Sequence, residues 1–132
     1  MPLYRNVKPV LSLTEAANTN QTGKTLVILP ENCGADGDES PTFAVFFDVT
    51  QSGGSSSPTT DVRLQTSHDG TNWITIASAT QLTANGEVHE LVELDKLGPF
   101  VRAVSVLGGG AKPNHTAKVV LASCSPFRLI VG

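Results

Sequence analysis

The sequence predicts an all-β protein, folded as a two-sheet antiparallel β-sandwich of the jelly-roll kind with about eight strands. Short runs rich in β-branched and aromatic residues recur at close spacing along the 132 residues. The 12 glycines and 8 prolines lie almost entirely between these runs. No stretch of ten residues has a convincing helical period. Together these observations indicate a sandwich or barrel, and we expect the sandwich.

The N-terminal residues 1–24 are predicted to form an extended arm and a loop, followed by a single sandwich domain over residues 25–132. Pro2 and Pro9 cannot donate to a strand ladder. Residues 1–13 are therefore either an edge strand or an arm lying on another surface. Residues 14–24 are polar and predict a loop.

Two buried strands are expected next. Residues 25–29 form an apolar run that ends at Pro30. In residues 42–50 the side chains Phe43, Val45, Phe47 and Val49 alternate with other residues, so one face is wholly apolar. This second run should be a central strand facing the core.

A β-hairpin is the strongest local prediction. The runs 62–66 and 72–78 flank a turn at Asp69-Gly70, where glycine adopts a positive φ at no steric cost. Strand alternation places Ile74 and Ile76 on one face and Trp73 on the other. We expect the two isoleucines in the core and the Trp73 ring over a sheet end or a loop.

Four further strands complete the sandwich: residues 87–94, 99–107, 116–123 and 127–131. Within the first of them Glu90 and Leu91 break the alternation of apolar and polar residues. Arg102 interrupts an apolar row in the second. Its guanidinium needs a partner, so we expect a structural ion pair or an exposed sheet face there, ahead of a ligand contact.

Composition and charge exclude several functions. The net charge is −3 and the basic residues are scattered singly, which argues against nucleic-acid binding. No run of 18 apolar residues exists, so no membrane partner is expected. The N-terminus lacks the layout of a signal peptide, which indicates assembly in the cytoplasm. Cys33 and Cys124 are expected to be two free buried thiols, although a disulfide between them is possible.

No catalytic or metal motif stands out, so we expect neither an enzyme nor a cofactor. The sequence around His68, His89 and His115 contains no nucleophile elbow, which would indicate a hydrolase, and no histidine spacing typical of a zinc site. The acidic loop residues Asp36, Asp38 and Glu39 could offer oxygens to calcium, but a solvated turn is the preferred interpretation. The glycosylation sequons at Asn20 and Asn114 mark surface loops.

Residues 61–107 contain the segments T-S-H-D-G-T-N-W-I-T-I-A, L-T-A-N-G-E and L-G-P-F-V-R-A-V-S-V. In this pattern the chain resembles small β-sandwich structural proteins of tailed bacteriophages, a group that includes head decoration (cement) proteins. The resemblance implies a non-enzymatic virion protein that stabilises an icosahedral capsid from its outer surface. The implied partners are the major capsid protein and further copies of this chain, as a homotrimer.

Candidate contact residues lie in the two terminal segments, since an arm adds contact area without needing its own core. They are Tyr4 and Arg5 in the first segment and Phe127 and Arg128 in the last.

Two alternatives stay open. The chain also resembles discoidin-like carbohydrate-binding sandwiches, in which case Trp73, His68 and Asp69 would contact the sugar. One Trp and one Tyr offer few rings for stacking, which favours the first interpretation. A phage tail or adaptor component is the other alternative.

Overall fold

The computed structural model describes residues 3–30, 42–53, 57–109 and 112–132, and in these ranges the secondary structure is all β. No helix long and apolar enough to cross a membrane occurs there. Ten strands form: β1 (Asn6–Ala17), β2 (Gln21–Thr22), β3 (Leu26–Pro30), β4 (Phe43–Ser52), β5 (Thr59–Ser67), β6 (Ile74–Ser78), β7 (Gly86–Glu93), β8 (Phe100–Gly108), β9 (Asn114–Ser123) and β10 (Phe127–Val131).

The strands form two antiparallel sheets. Sheet A has the order β1-β9-β4-β7, and sheet B has the order β10-β3-β8-β5-β6, with β2 also paired to β8. Strand β1 and strands β3 to β9 are arranged as in an eight-stranded jelly roll, in which the chain changes sheet at every connection except the β5–β6 hairpin. Strand β10 extends sheet B beside β3. The predicted fold class is confirmed.

The core lies between the inner faces of the sheets. As predicted, β4 is central and its apolar face is inside: Phe43, Val45, Phe47 and Val49 are at most 8% exposed. The opposite sheet contributes the inward residues of β5 and β8, namely Val62, Leu64, Val101 and Ala103. In β4 and β5 the alternation of the sequence thus translates directly into one inner and one outer face.

Most of residues 1–24 is built into the sandwich. The first segment was predicted to be either an edge strand or an extended arm, and residues 6–17 form the edge strand. This strand, β1, pairs with β9 starting at Asn6, which lies opposite Ser123. The register shifts after Pro9 and again after Leu13. A proline and bulges on an edge strand hinder pairing with a further chain. Further along, β2 pairs with β8 in sheet B.

The hairpin of β5 and β6 forms, and Gly70 has the expected positive φ, of 79°. The faces of β6 differ from the prediction. Leu64 lies opposite Ala77, but Gln65 lies opposite Thr75, so Ile76 is an extra residue in a bulge. Ala77 is consequently buried, and Ile76 is only partly buried against the core. The prediction that Ile74 is a core residue is wrong, because its side chain is 66% exposed.

Candidate functional site

The hairpin turn uses both oxygens of the Asp69 carboxylate. Oδ1 accepts hydrogen bonds from the backbone N–H groups of Thr71 and Asn72 and from Ser67 Oγ, each at 2.9 Å. Oδ2 accepts one from the Asn72 side chain at 2.7 Å. These bonds, those from Asn72 and Thr71 first, hold the pKa of Asp69 well below its usual range. His68 is exposed, with its Nε2 3.5 Å from Asp69 Oδ2. Asp69 therefore shapes the turn.

Trp73 and Arg102 form a stacked pair on the outer face of sheet B. The guanidinium carbon of Arg102 lies 4.3 Å from the centre of the Trp73 ring. Arg102 Nε donates to Gln65 Oε1 at 2.9 Å, and Gln65 Nε2 donates to Thr75 Oγ1 at 3.3 Å. Of the two settings predicted for Arg102, the outer sheet face is the one observed. No ion pair joins Arg102 to another described residue.

Two further cations share this outer face. Arg63 lies opposite Val104 on β8, two residues along from Arg102, so the two arginines are diagonal cross-strand neighbours. Lys24 follows β2, where Gly23 N–H donates to Ala103 O at 2.8 Å, and strand alternation places Lys24 on the Arg102 side. The carboxylate of Asp61 on the same face accepts a hydrogen bond from Gln81 at 2.9 Å.

An apolar row crosses the outer face of sheet A. Cross-strand pairing aligns Pro9 with Val120, Val120 with Phe46, and Phe46 with Leu91, so that all four strands contribute. Val7 extends it along β1. These five residues, Val7, Pro9, Phe46, Leu91 and Val120, are named the sheet A band. Val7 is 50% and Leu91 47% exposed, which is high for large apolar side chains.

Polar residues border the sheet A band on one side. The neighbouring row aligns Lys118 of β9 with Asp48 and Asp48 with His89. His89 Nδ1 lies 2.6 Å from Asp48 Oδ1, and the Nε2 of the same ring lies 3.6 Å from Glu87. The hydrogen bond to Asp48, supported by the charges of both carboxylates, raises the pKa of His89.

The N-terminal segment crosses the other side of the band. Tyr4 Oη donates to Glu93 Oε2 at 2.9 Å, although β1 and the β7 strand of Glu93 lie at opposite edges of sheet A. Strands are spaced about 4.8 Å apart, so residues 3–5 must run over the sheet to reach Glu93. Ala122 and Ala44 lie between Val7 and Glu93 in the same row of cross-strand pairs. Their side chains are on the outer face, yet both residues are fully buried, as expected if residues 3–5 cover them. Desolvation, then the Glu93 contact, raises the pKa of Tyr4.

The four predicted contact residues do not form one surface. Tyr4 and exposed Arg5 precede β1 at sheet A, whereas Phe127 and exposed Arg128 begin β10 in sheet B. Phe127 is 3% exposed, and its ring meets Phe43 edge to face at 5.3 Å between centres. Phe127 is therefore a core residue with no free face for a partner, which corrects its placement among the contact residues.

His115 is a buried polar residue whose role the sequence did not indicate. Its Nδ1 lies 2.8 Å from Ala17 O and its Nε2 lies 2.8 Å from Ser105 Oγ. A carbonyl can only accept, so Nδ1 carries a proton, and in the neutral ring Nε2 accepts from the hydroxyl. Ser105 Oγ in turn accepts from the backbone N–H of Gln21 at 3.1 Å. Burial lowers the pKa of His115, which the Ala17 contact partly opposes.

Some predicted features lie outside the described residues, namely Cys33 and the acidic loop with Asp36, Asp38 and Glu39. Cys124 is a half-buried free thiol. Among the residues that the structure describes, no group of three or more His, Cys, Asp or Glu side chains is placed to hold a metal ion.

A small cleft of about 300 Å³ opens between β6 and the end of β7. Exposed Ile74 lines it, together with Thr75, Ile76, Glu93, Asp95 and Lys96. Residues of the edge strand β6 thus form one wall of the cleft, and charged side chains form the other.

The sequence could have indicated part of these surfaces. Strand alternation alone places Arg63 with Gln65, and Phe46 with Asp48, on outer faces. The sequence gives no signal for the pairing registers that align Phe46 with Leu91 and Gln65 with Arg102, because these partners are far apart in the chain.

Comparison with known proteins yields a weak structural likeness. No protein-family model matches the chain. No curated protein sequence matches it either. A solved family 29 carbohydrate-binding module is similar over 91% of this chain and 89% of its own, at 9% identity and a TM-score of 0.43. A mutant of the family 29 module CBM29-2 gives the same TM-score at 10% identity, over 91% of this chain and 93% of its own.

Proposed function

We propose that this protein is a non-enzymatic structural protein that decorates the outer surface of an icosahedral phage capsid and attaches to the shell through the sheet A band. The observation that carries this proposal is the band itself. It is a row of apolar side chains across a whole sheet face, with Leu91 and Val7 about half exposed. The motif resemblance of residues 61–107 supports the phage class.

The composition of the band is that of a protein interface. Apolar side chains lie at the centre, and the polar row of Lys118, Asp48 and His89 borders them. Covering the band would remove apolar surface from water, which contributes roughly 25 cal/mol per Å². An outer sheet face suits the broad surface of a shell better than it suits a small ligand, which needs a concave pocket.

The proposal includes self-association as a homotrimer around local three-fold positions of the shell. Tyr4 supports a contact role for the N-terminal segment, because its hydroxyl reaches Glu93 beside the band. Arg5, exposed next to Tyr4, is then available to a neighbouring copy or a capsid subunit. Analytical ultracentrifugation of the free protein and counting of copies on purified particles test the trimer; a strictly monomeric distribution in both would contradict it.

The shell contact is tested by co-sedimentation with undecorated capsids. Leu91→Asp places a charge in the centre of the band, and we expect at least a tenfold weaker binding, since burying an unpaired carboxylate is costly. Ile74→Asp is the matched control, because Ile74 is also an exposed apolar residue but lies on β6 of sheet B, outside the band. Equal binding by the Leu91 variant and the unmodified protein would refute the assignment of the band.

A second candidate function is carbohydrate binding at Trp73. The observation that favours it is the half-buried indole flanked by the polar side chains of Arg102 and Gln65. Asp69 contributes little, because its oxygens are occupied by the turn. Glycan-array binding that Trp73→Ala abolishes would support this function, whereas a blank array would remove it.

A further inference from the structure

We propose that the outer face of sheet B contains a carboxylate-binding site, formed by Arg102, Trp73 and Arg63, that takes an acidic side chain of a partner protein. The proposal deepens the proposed function, on which the identity of the partner as a capsid component rests. The chemistry of the site depends only on the residues that form it.

Arg102 is held in position by two contacts. The guanidinium carbon lies 4.3 Å from the centre of the Trp73 ring, and Nε donates a hydrogen bond to Gln65, so both contacts restrict the side chain. Gln65 is itself oriented by Thr75 at 3.3 Å. The two Nη groups make no hydrogen bond or ion pair with any described residue. A guanidinium oriented before binding loses less conformational freedom when a carboxylate arrives.

The site is rich in hydrogen-bond donors. Besides the Nη groups, the Trp73 indole N–H has no hydrogen-bond partner among the described residues, and Arg63 has neither a hydrogen bond nor an ion pair there. Gln65 Oε1 already accepts from Arg102. An ionised carboxylate has only acceptor atoms and matches the fork of an arginine in bidentate geometry.

The charges of this face favour an anion. Arg63 and Arg102 are diagonal neighbours, about 7–8 Å apart between backbones, and repel each other. Lys24 adds a third positive charge on the same side. In the described part of this face Asp61 is the carboxylate aligned with them, so three positive charges stand against one negative charge. The face is therefore positive although the whole chain has a net charge of −3.

The surroundings of the site indicate a protein as the source of the carboxylate. The adjacent row on this outer face is apolar, with Ile130 paired to Val27 and Val27 paired to Phe100. Trp and Arg next to apolar side chains are the residue types that dominate protein interfaces. Two arginines and one lysine are too few for the backbone of a nucleic acid, which requires a longer track of cations.

A fluorescence titration tests the site directly. Trp73 is the single Trp of the chain, so its emission reports ligand binding at Arg102. With a hexaglutamate peptide at 10 mM salt we expect a saturable change that weakens at least fivefold in Arg102→Gln and in Arg63→Gln. The affinity should also fall as salt is raised, because the contact is an exposed charge pair. Arg102→Lys keeps the charge without the planar fork and should lie in between.

Lys118→Gln is the matched control, since it removes one positive charge from the outer face of sheet A and should change the affinity less than twofold. Thermal unfolding of each variant checks that the fold is kept, and Arg102→Lys provides the answer if Arg102→Gln does not fold. Equal affinity of the Arg102 variants and the unmodified protein would overturn the proposal. Tighter binding of a hexaphosphate or an oligogalacturonate than of hexaglutamate would also overturn it, because the ligand would then not be a protein.

The same variants separate this proposal from the proposed function. If hexaglutamate binds in the expected manner but the protein does not co-sediment with capsids, the carboxylate site stands and the capsid assignment fails. If the protein binds capsids but Arg102→Gln and Arg102→Lys bind hexaglutamate as tightly as the unmodified protein does, the capsid assignment stands and the carboxylate site fails.

Discussion

At the scale of single residues, His115 is the buried one of the three histidines, whereas His68 and His89 are exposed. Its ring is 1% exposed and connects the end of β1 to β8 through Ala17 O and Ser105 Oγ. In the neutral ring Nδ1 donates to Ala17 O and Nε2 accepts from the Ser105 hydroxyl. Burial of the ring favours this neutral form in the folded protein.

We predict that acidification destabilises the protein through His115. Its pKa in the folded state is lowered by burial, so the unfolded chain binds more protons between that pKa and about 6.5. The contribution is present above pH 6.5 and is lost as the pH falls towards the folded pKa. His115→Asn should cost about 1–3 kcal/mol at pH 7.5, from lost packing and one lost hydrogen bond, and should remove this part of the pH dependence. Urea unfolding at pH 5.0 and 7.5, followed by Trp73 fluorescence, measures both effects.

His89 acts in the opposite direction and provides the control. Its pKa is raised by Asp48 and Glu87, so its stabilising contribution is complete below about pH 6.5 and is lost as the pH rises through the folded pKa. His89→Gln should therefore make the loss of stability on acidification steeper. A variant with the same pH profile as the unmodified protein would show that the Asp48 contact has no energetic weight.

At the scale of elements, β7 shows how residues that break an alternation can be explained by their contacts. Glu90 points to the inner side at the edge of sheet A, where its carboxylate accepts from the backbone N–H and the hydroxyl of Thr80, both at 2.6 Å. Leu91 points outward and pairs with Phe46 in the sheet A band. Glu90 thus anchors the loop at Thr80, and Leu91 belongs to the sheet A band.

Strand β10 is attached to the core mainly by its first residue. Phe127 packs edge to face on Phe43, whereas Ile130 on the same strand is 45% exposed. We predict that Phe127→Ala lowers the free energy of unfolding by about 3–5 kcal/mol, the usual cost of a large buried cavity. Ile130→Ala should cost less than about 1 kcal/mol. Urea denaturation of both variants measures the difference, and equal costs would show that the Phe43 contact contributes little.

At the scale of the whole molecule, the two ends of the chain complete the two sheets. Asn6 of β1 lies opposite Ser123 of β9, and its side chain donates to Ser123 O across 117 residues of sequence. Gly132 N–H donates to Thr25 O beside β3 at 3.0 Å. Each sheet therefore gains one of its edge strands only when residues from distant parts of the chain pair.

We predict that removing residues 1–17 prevents cooperative folding. The deletion leaves β9 as an unpaired edge and takes away the carbonyl that His115 requires. Removing only residues 1–5 should preserve the fold, since it eliminates the Tyr4 contact to Glu93 and no strand pairing. Thermal unfolding monitored by circular dichroism compares the two; a sharp transition in the longer deletion would contradict the prediction.

Residues 14–24 were predicted as a loop but contain the end of β1 and all of β2. The sequence by itself determined the other strands, the inward face of β4 and the positive φ at Gly70. These features depend on neighbours within a few residues, through alternation and turn chemistry. It could not place Ile74 outside the core. The register pairs Ile74 with the buried Thr66, but β6 is the edge strand of sheet B and Ile74 lines the open cleft beside Glu93.

Only the tertiary structure decided which outer residues lie together. Phe46 meets Leu91, and Arg102 meets Trp73 and Gln65, through registers between strands that are far apart in the chain. The same holds for Phe127, whose burial follows from its contact with Phe43. A shift of one residue in any pairing would send each side chain to the opposite face, so both proposed binding surfaces depend on long-range registers that local sequence patterns do not specify.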